Sequence, residues 1–361
     1  MNFVIAAGGT GGHLFPGLAV GEVLIARGHQ VLLITSEKEI DALATQGRTE
    51  FQIERIQGVG WQKKSPFGLL QFLLKFRTGL QQVKSLYRKF IPDAVLGMGG
   101  FTSTAPILGG RARKIPTFVH ESNAIPGKAN RLNGRLATEV LLGFAECARF
   151  FPKGKSLLTG TPLRSSLLQR LTPELARTTL GLQPDLPTLL VMGGSQGAQG
   201  INRAVLQSLP HLHEKPLQII HLSGRDDEDR LRTSYAQANI PAWVASFHHR
   251  MEEVYSAASL SIARSGAASL TELAHFGIPS ILIPYPHAAE DHQTANAKIF
   301  ANAAAAILIP ESQLTGEILA KIICDQLSHP DALATMAAAT ARLSFPNAAT
   351  RVAEAVLQHC P

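Results

Sequence analysis

His13 ends the stretch AAGGTGGH, in which four glycines follow an apolar run from Phe3 to Ala7 and lead into a long amphipathic segment. That order reads as strand, glycine turn and helix N-terminus. Glycine lets the backbone take positive φ and approach a ligand without a Cβ in the way, and free N–H groups at a helix start suit a diphosphate. An imidazole there crowds a pyrophosphate but serves as a base aimed into a crevice. A histidine that only caps or packs is the competing reading. No Gly-Lys-Ser/Thr follows, so the loop is not a Walker A motif. With Glu37 near the end of the second strand, it gives only a shifted dinucleotide fingerprint.

A second glycine loop, GGSQGAQGINRAVL, follows the strand pattern TLLVM and repeats the opening plan. Further on, ARSGAASLTELAHFGIPSILIPYPHAAEDHQTANA (263–297) holds a strand end, a small-residue loop, a helix and another strand. Glu272 lies seven residues after Ser265, about two helical turns, so both face the same side. A carboxylate there can accept both hydroxyls of a ribose, with Arg264 and the loop amides near phosphate. A single Glu on a helix is otherwise a solvated charge. The Asp291–His292–Gln293 cluster tips the balance by adding polar groups at the next strand's carboxyl end. His287, Asp291 and His292 also suggest a metal, but their spacing fits no common zinc motif.

The elements that must position these residues alternate along the chain. Strand patterns cover Asn2–Ala7, Gln30–Thr35, Asp93–Met98 and Thr117–His120, then Thr188–Met192, Ile219–Leu222, Ala242–Phe247, Leu260–Ala263 and Ser280–Pro284. A helix over Leu14–Arg27 is stopped by Gly28. Such alternation implies open, parallel sheets covered on both faces by helices. A chain of 361 residues is long for one core. The expected fold class is α/β: two doubly wound, Rossmann-like domains facing each other across a deep cleft, with ligands beyond the strands' carboxyl ends. Gly160 and Pro162 punctuate a linker. The domains are expected at 1–160 and 161–343, with a C-terminal helix in 344–361 crossing back to the first.

Composition narrows the function classes. With 45% hydrophobic and 17% charged residues the chain is an ordinary globular one, and its net charge of +7 favours anionic partners. No block of consecutive Lys/Arg suggests a nucleic-acid tail. Three scattered cysteines, Cys147, Cys324 and Cys360, support neither a disulfide scaffold nor a thiolate zinc site, and fit a reducing cytoplasm. The N-terminus reaches Gly8 too soon for a signal peptide, and no apolar run approaches the roughly 18 residues of a membrane span.

In order and spacing, GGTGGHLFPGLA, VLGMGGF, HESN, GTPLR, GGSQGA, ARSGAASLTE and DHQTANA resemble the motifs of the MurG family of glycosyltransferase family 28, over essentially the whole chain. The resemblance implies a GT-B fold and an inverting transfer of N-acetylglucosamine from UDP-N-acetylglucosamine. The implied acceptor is the 4-hydroxyl of the muramyl sugar in undecaprenyl-pyrophosphoryl-MurNAc-pentapeptide (lipid I), giving lipid II for peptidoglycan. It implies no cofactor and no metal at the donor diphosphate. The first domain would bind the acceptor and the membrane, and the second the donor. Carried over by motif, Ser195, Gln196 and Gly197 meet the diphosphate and Arg164 contacts the donor, with Ala267, Ala268, Ser269, Leu270 and Thr271 adding loop contacts. Glu272 holds the ribose and Gln293 the sugar hydroxyls, while the backbone of His248 meets the uracil. Thr10, Gly11, Gly12 and Asn123 close over the N-acetylglucosamine. His13 is the first choice for the base that takes the acceptor proton, and Glu121 the rival. Two positions depart from the family pattern: His248 stands where an apolar residue is usual, and Phe101 where many relatives carry tyrosine.

Trp61–Phe90 (WQKKSPFGLLQFLLKFRTGLQQVKSLYRKF) crowds Phe67, Leu69, Leu70, Phe72, Leu73, Leu74 and Phe76 among Lys63, Lys64, Lys75, Arg77, Lys84, Arg88 and Lys89. A basic amphipathic helix of this kind can lie in an anionic membrane surface; packing of its apolar face on the sheet is the plainer alternative. The expected place is the cytoplasmic face of the bacterial inner membrane, held peripherally. Other readings of the chain are a related lipid glycosyltransferase, for instance on diacylglycerol, and a UDP-N-acetylglucosamine 2-epimerase. From other classes come a nicotinamide oxidoreductase and a non-catalytic lipid-binding scaffold.

Overall fold

The computed structural model describes residues 1–56, 66–193 and 198–360. The chain divides into two compact units, Met1–Arg164 with Phe345–Pro361, and Ser165–Ser344. The division thus falls after Arg164 and not after residue 160. The reason is local packing: His120 Nε2 lies 3.0 Å from the Gly160 carbonyl oxygen, and the Arg164 guanidinium sits 4.8 Å over the Phe15 ring.

Unit 1 carries β1 (Asn2–Ala6), β2 (Gln30–Thr35), β3 (Gln52–Arg55), β4 (Ala94–Gly97), β5 (Thr117–Glu121), β6 (Glu139–Leu142) and β7 (Ser156–Leu158). They form one parallel sheet in the order β3-β2-β1-β4-β5-β6-β7, with Phe3 paired to Val31 on one side and Ala94 on the other. Its helices are α1 (Gly11–Ala26), α2 (Glu39–Thr45), α3 (Pro66–Phe90), α4 (Thr104–Arg111) and α5 (Lys128–Leu136). Strand alternation sends Phe3 and Ile5 to the face covered by Leu14, Leu18 and Leu24 of α1. Val4 and Ala6 go to the other face, against Val83 and Tyr87 of α3 and Ala105 and Ile107 of α4. Both faces are dry, which is why β1 reads as an unbroken apolar run. α1 begins at Gly11 and not at Leu14, so His13 belongs to its first turn. The short β3, β6 and β7 escape the sequence reading because three or four residues show no clear period.

Helix α3 has two halves. Toward its C-terminus Val83 and Tyr87 are buried, and the Tyr87 hydroxyl donates to the Pro106 carbonyl at 3.0 Å. Nearer its start Leu73 and Leu74 are 52% and 57% exposed, beside exposed Lys75 and Arg77. Phe72 stacks on Phe76 at 5.8 Å and meets Phe101 edge-on at 6.5 Å. Trp61–Ser65, including Lys63 and Lys64, lie outside the described residues. Among the described residues no helix is long and apolar enough to cross a membrane.

Unit 2 carries β8 (Thr188–Met192), β9 (Gln218–Leu222), β10 (Ala242–Ala245), β11 (Leu260–Ala263), β12 (Ser280–Leu282) and β13 (Ala306–Leu308), parallel, in the order β10-β9-β8-β11-β12-β13. Its helices are α6 (Pro173–Thr179), α7 (Gln199–Leu212), α8 (Glu228–Gln237), α9 (Met251–Ala257), α10 (Ala267–Phe276), α11 (His292–Asn302), α12 (Gly316–Leu327) and α13 (Pro330–Arg342). A single dry cluster joins Leu189, Val191, Ile219 and Ile262 of the sheet to Ile201 and Val205 of α7 and Leu319 and Ile323 of α12. The final helix, α14 (Ala348–Leu357), returns to unit 1, where Val352 and Val356 enter the cluster of Phe3 and Leu18. Arg27 pairs with Glu354 at 3.1 Å, and the Arg351 guanidinium donates to the Leu158 carbonyl at 2.8 Å.

Candidate active site

In unit 1 the strand order reverses between β1 and β4, so the loops leaving their carboxyl ends diverge and open a crevice. His13 stands in it, half-buried in the first turn of α1. The ring lies against the loop after β4. A Cβ on Gly99 (φ +114°) would come within 2.9 Å of His13 Cδ2 and Nε2. Glycine is therefore required twice over, by the backbone angle and by the imidazole. Thr10 caps α1 with its backbone in extended conformation and without a side-chain bond to the helix; its Oγ1 lies 3.3 Å from His13 Nδ1. Gly11 and Gly12 complete the first turn, both half-buried. Burial lowers the His13 pKa, opposed by the negative charges of Glu121 and Asp41 and by a hydrogen bond to the Gly8 carbonyl, while Lys38 adds to the lowering. A lowered pKa leaves the ring neutral and able to accept a proton at neutral pH.

Glu121 ends β5, next to β4, and is 3% exposed. Its Oε1 accepts from the Asn123 backbone and side chain at 2.9 and 3.0 Å. Its Oε2 accepts from the Gly127 amide at 3.2 Å and from Asn130 Nδ2 at 2.9 Å. With four donors on two oxygens, this carboxylate braces the HESN loop. Taking a proton would break bonds on whichever oxygen received it, which weighs against Glu121 and for His13 as the base. Asn123 is held by that brace.

In unit 2 the order reverses between β8 and β11. Ser195, Gln196 and Gly197, in the loop after β8, lie outside the described residues. After β11 the chain passes Arg264, Ser265 and Gly266 into α10. Gly266 is the N-cap and offers no side chain, so the first-turn N–H groups of Ala267, Ala268 and Ser269 point out of the helix end without a capping acceptor. Leu270 does not share this position: its N–H bonds the Gly266 carbonyl at 3.0 Å and its side chain is in the core. The Thr271 hydroxyl likewise turns inward, donating to the Ala267 carbonyl at 2.8 Å. Glu272 projects from the same helix and is half-buried, with Oε2 accepting from the buried Tyr255 hydroxyl at 2.6 Å. That bond orients the carboxylate.

Gln293 opens α11. Its Oε1 accepts from the Tyr285 amide at 2.9 Å, and its carbonyl accepts from Ser265 Oγ at 2.8 Å, which leaves the side-chain NH₂ as a donor. The turn before it is strained: Glu290 and Asp291 have φ of 54° and 52°, conformations that cost non-glycine residues on the order of 1–3 kcal/mol each. His292 Nδ1 lies 2.6 Å from the Ala289 carbonyl, Asp291 accepts from Thr294 at 2.6 Å, and His287 packs edge-on to Tyr285. Among the described residues no group of His, Cys, Asp and Glu is arranged to hold a metal ion.

Two arginines are held by neighbouring groups. Arg264 is buried; its Nη1 donates to the Ile283 and Pro284 carbonyls, each at 3.1 Å, and pairs with Glu311 at 2.5 Å. Through Nη1 it ties the ends of β11, β12 and β13 together and braces the loop. Arg164 belongs to unit 1, stacked on Phe15. His248 packs edge-on to Trp243 at 5.1 Å, with Nε2 3.0 Å from Glu253, so only its backbone remains for recognition.

Sequence reasoning missed Asp41, Tyr255, Asn130 and Glu311. Each acts through a partner distant in the chain, and none lies in a glycine motif. The only local signal was at Asp41, an acidic residue in the first turn of the helix after β2.

Comparison with known proteins agrees with this geometry. Residues 3–142 match the glycosyltransferase family 28 N-terminal domain, and residues 188–352 the C-terminal domain. The UDP-N-acetylglucosamine–N-acetylmuramyl-(pentapeptide) pyrophosphoryl-undecaprenol N-acetylglucosamine transferase of Geobacter metallireducens is 37% identical, over 99% of this chain and 98% of the relative. The enzyme of the same name from Syntrophotalea carbinolica is 39% identical, over 98% and 97%. Among solved structures, Acinetobacter baumannii MurG superposes with a TM-score of 0.79 at 28% identity, covering 99% of both chains. A UDP-GlcNAc 2-epimerase from Neisseria meningitidis shares the fold, with a TM-score of 0.70 at 14% identity over 99% of this chain and all of that one. Two doubly wound parallel-sheet units, matched along nearly their full length by these relatives, make this chain a GT-B protein that belongs to glycosyltransferase family 28, in its MurG group.

Proposed function

We propose that this protein is an inverting N-acetylglucosaminyltransferase acting from UDP-N-acetylglucosamine onto the 4-hydroxyl of the muramyl sugar of a pyrophosphoryl-undecaprenol-linked MurNAc-pentapeptide. The observation that carries the reading is identity of 37–39% with transferases of that name over 98–99% of the chain, joined to a neutral, half-buried imidazole at the crevice of unit 1. In this reaction His13 takes the proton of the acceptor hydroxyl as its oxygen attacks C1 of the donor sugar. The bond from C1 to the β-phosphate oxygen breaks on the opposite side, and UDP leaves with the electron pair. One displacement inverts the anomeric centre, through an oxocarbenium-like transition state.

Unit 2 holds the donor. The uncapped start of α10 receives the negative charge that grows on the leaving diphosphate. Glu272, oriented by Tyr255, accepts the ribose hydroxyls, and the NH₂ group of Gln293 donates to the sugar. Unit 1 supplies the base and the acceptor contacts, with Thr10, Gly11, Gly12 and Asn123 near the transferred sugar. The donor site works without a metal or cofactor, since helix amides take the place of a cation. The exposed Leu73, Leu74, Lys75 and Arg77 of α3 bring unit 1 to an anionic membrane surface. The chain acts at the cytoplasmic face, where UDP-sugars are made.

The test is UDP release from UDP-N-acetylglucosamine, with and without a lipid-linked MurNAc-peptide acceptor. Release that depends on the acceptor, with a β-linked disaccharide as product and insensitivity to EDTA, is the expected result. Acceptor-independent turnover or a 2-epimer product would sink the assignment, and transfer to diacylglycerol instead would redirect it.

A further inference from the structure

We propose that Asp41 is a positioning residue for the base: it clamps the Gly8–Gly9 turn that leads into the helix start carrying His13. The inference rests on the reading of His13 as the base.

Asp41 sits in the first turn of α2 and is fully buried. A single oxygen, Oδ2, accepts from the Gly9 amide at 2.8 Å, from the Ser36 amide at 3.1 Å and from Ser36 Oγ at 2.5 Å. The turn is pressed onto this carboxylate: a Cβ on Gly8 would lie 2.6 Å from Oδ2. From the other side the Lys38 ammonium donates to the Gly9 carbonyl at 2.8 Å. The Gly8–Gly9 segment is thus gripped from the end of β2 and the start of α2, and it leads directly into the helix start that carries His13. The Gly8 carbonyl oxygen and the His13 ring both border Gly100, where a Cβ would stand 3.6 Å from the oxygen and 3.5 Å from Nδ1. Gly99 and Gly100 wall the ring on the opposite side.

The charged and titratable groups around His13 are Asp41 and Lys38 from the α2 side and Glu121 and His120 from β5. Burial lowers the His13 pKa; Glu121 and Asp41 raise it and Lys38 lowers it further. Glu121 is fixed in its own loop by four donors. Asp41 and Lys38 are therefore the pair through which the ring's basicity can be moved in opposite directions.

The second carboxylate oxygen, Oδ1, is buried without a hydrogen-bond partner among the described residues. Asparagine can place its NH₂ at that position and keep an oxygen at Oδ2, which removes the charge and preserves the clamp. Alanine removes both. The experiment is the pH dependence of kcat and kcat/KM for acceptor-dependent UDP release by the full chain, for Asp41→Asn, Asp41→Ala, Lys38→Met and His13→Ala. Asp41→Asn is expected to move the acid limb of kcat/KM to lower pH with a few-fold change in kcat. Lys38→Met moves that limb to higher pH. Asp41→Ala lowers kcat by about 10²-fold, the scale of a misplaced catalytic group, with donor KM within about twofold, and adds nothing further in the His13→Ala background. Should Asp41→Ala not fold, the opposed shifts of the Asn and Met variants still decide.

The proposal is overturned if both variants keep the wild-type acid limb, or if Asp41→Ala costs the same with and without His13. Near-normal kcat in His13→Ala itself would instead defeat the reading of His13 as base, whatever Asp41 does. The two failures are therefore distinguishable.

Discussion

At the carboxyl end of β1, unit 1 places a partly desolvated imidazole against two glycines. At the carboxyl end of β11, unit 2 buries a guanidinium among carbonyls and leaves the following helix start without a cap. Both crevices arise from the same strand–loop–helix plan at a reversal of strand order. In the first, the loop's polar groups hold a side chain that can exchange a proton. In the second, Arg264 and Ser265 hold the loop that leads into the uncapped start of α10. In the proposed reaction, the same topology gives a reactive group in one unit and a receptor in the other. The difference lies in whether a side chain or the backbone is presented at the loop.

If this contrast is right, kinetic and binding losses should separate cleanly between the units. The largest expected effect is that of His13→Ala: a loss in kcat of about 10²–10⁴-fold, typical of removing a general base, with UDP affinity little changed. Weakened UDP binding at near-normal kcat would abolish the contrast. Glu272→Ala should do the converse, weakening UDP by about 10–100-fold, the loss of hydrogen bonds to a charged group, while kcat stays within a few-fold. Calorimetric titration with UDP and steady-state kinetics on the same preparation would check both.

A third expectation separates the units by surface and not by crevice. Reversing Lys75 and Arg77 to Glu should weaken binding to vesicles containing anionic lipid by at least about 10-fold, at roughly 1 kcal/mol per basic residue. Turnover of a water-soluble acceptor analogue should be untouched. Unchanged vesicle binding would return the first half of α3 to an ordinary exposed surface.

Smaller still should be the effect of Glu121→Gln on kcat. An amide at Oε2 would face the Gly127 and Asn130 donors, so this variant should lose stability, on the order of 1–3 kcal/mol, and show a lower Tm before it shows a large kinetic defect. A folded Glu121→Gln with a kcat as low as that of His13→Ala would reverse the two roles. The last expectation concerns pH and unit 2. Burial lowers the pKa of His221, bonded to Tyr235 and Asn202, from 6.5 to about 3. Between those values the unfolded chain binds the extra proton, so stability is full above about pH 6.5 and falls as pH drops toward 3. Urea midpoints between pH 7 and 4 should decline less steeply in His221→Gln; an unaltered slope would show that other groups carry the dependence.

Much of the fold was legible because its signals are short-range. The β1, β2 and β8 strands read as apolar runs, Gly28 marked the stop of α1, and the glycine loops lay where strands give way to helices. Arg264 shows where this legibility ends. Its place after β11 was plain, but its ion pair with Glu311, arriving from the far side of β13, was not. Leu270 and Thr271 shared a motif with Glu272, yet helical phase turned one into the core and the other back onto its own helix.

By itself, the sequence determined the two α/β halves, the place of His13 at a helix start and the face of α10 that carries Glu272. Each depends on residues within a turn or two of one another. Tertiary structure alone decided which polar groups remain available. Glu121 is occupied because Asn130 comes to it from α5. The turn before His13 is fixed because Asp41 reaches back to it from α2, and Gly99 makes room for the ring after β4. Hydrogen-bond saturation and desolvation are properties of what surrounds a group in three dimensions, and those neighbours come from strands and helices that the chain brings together only on folding.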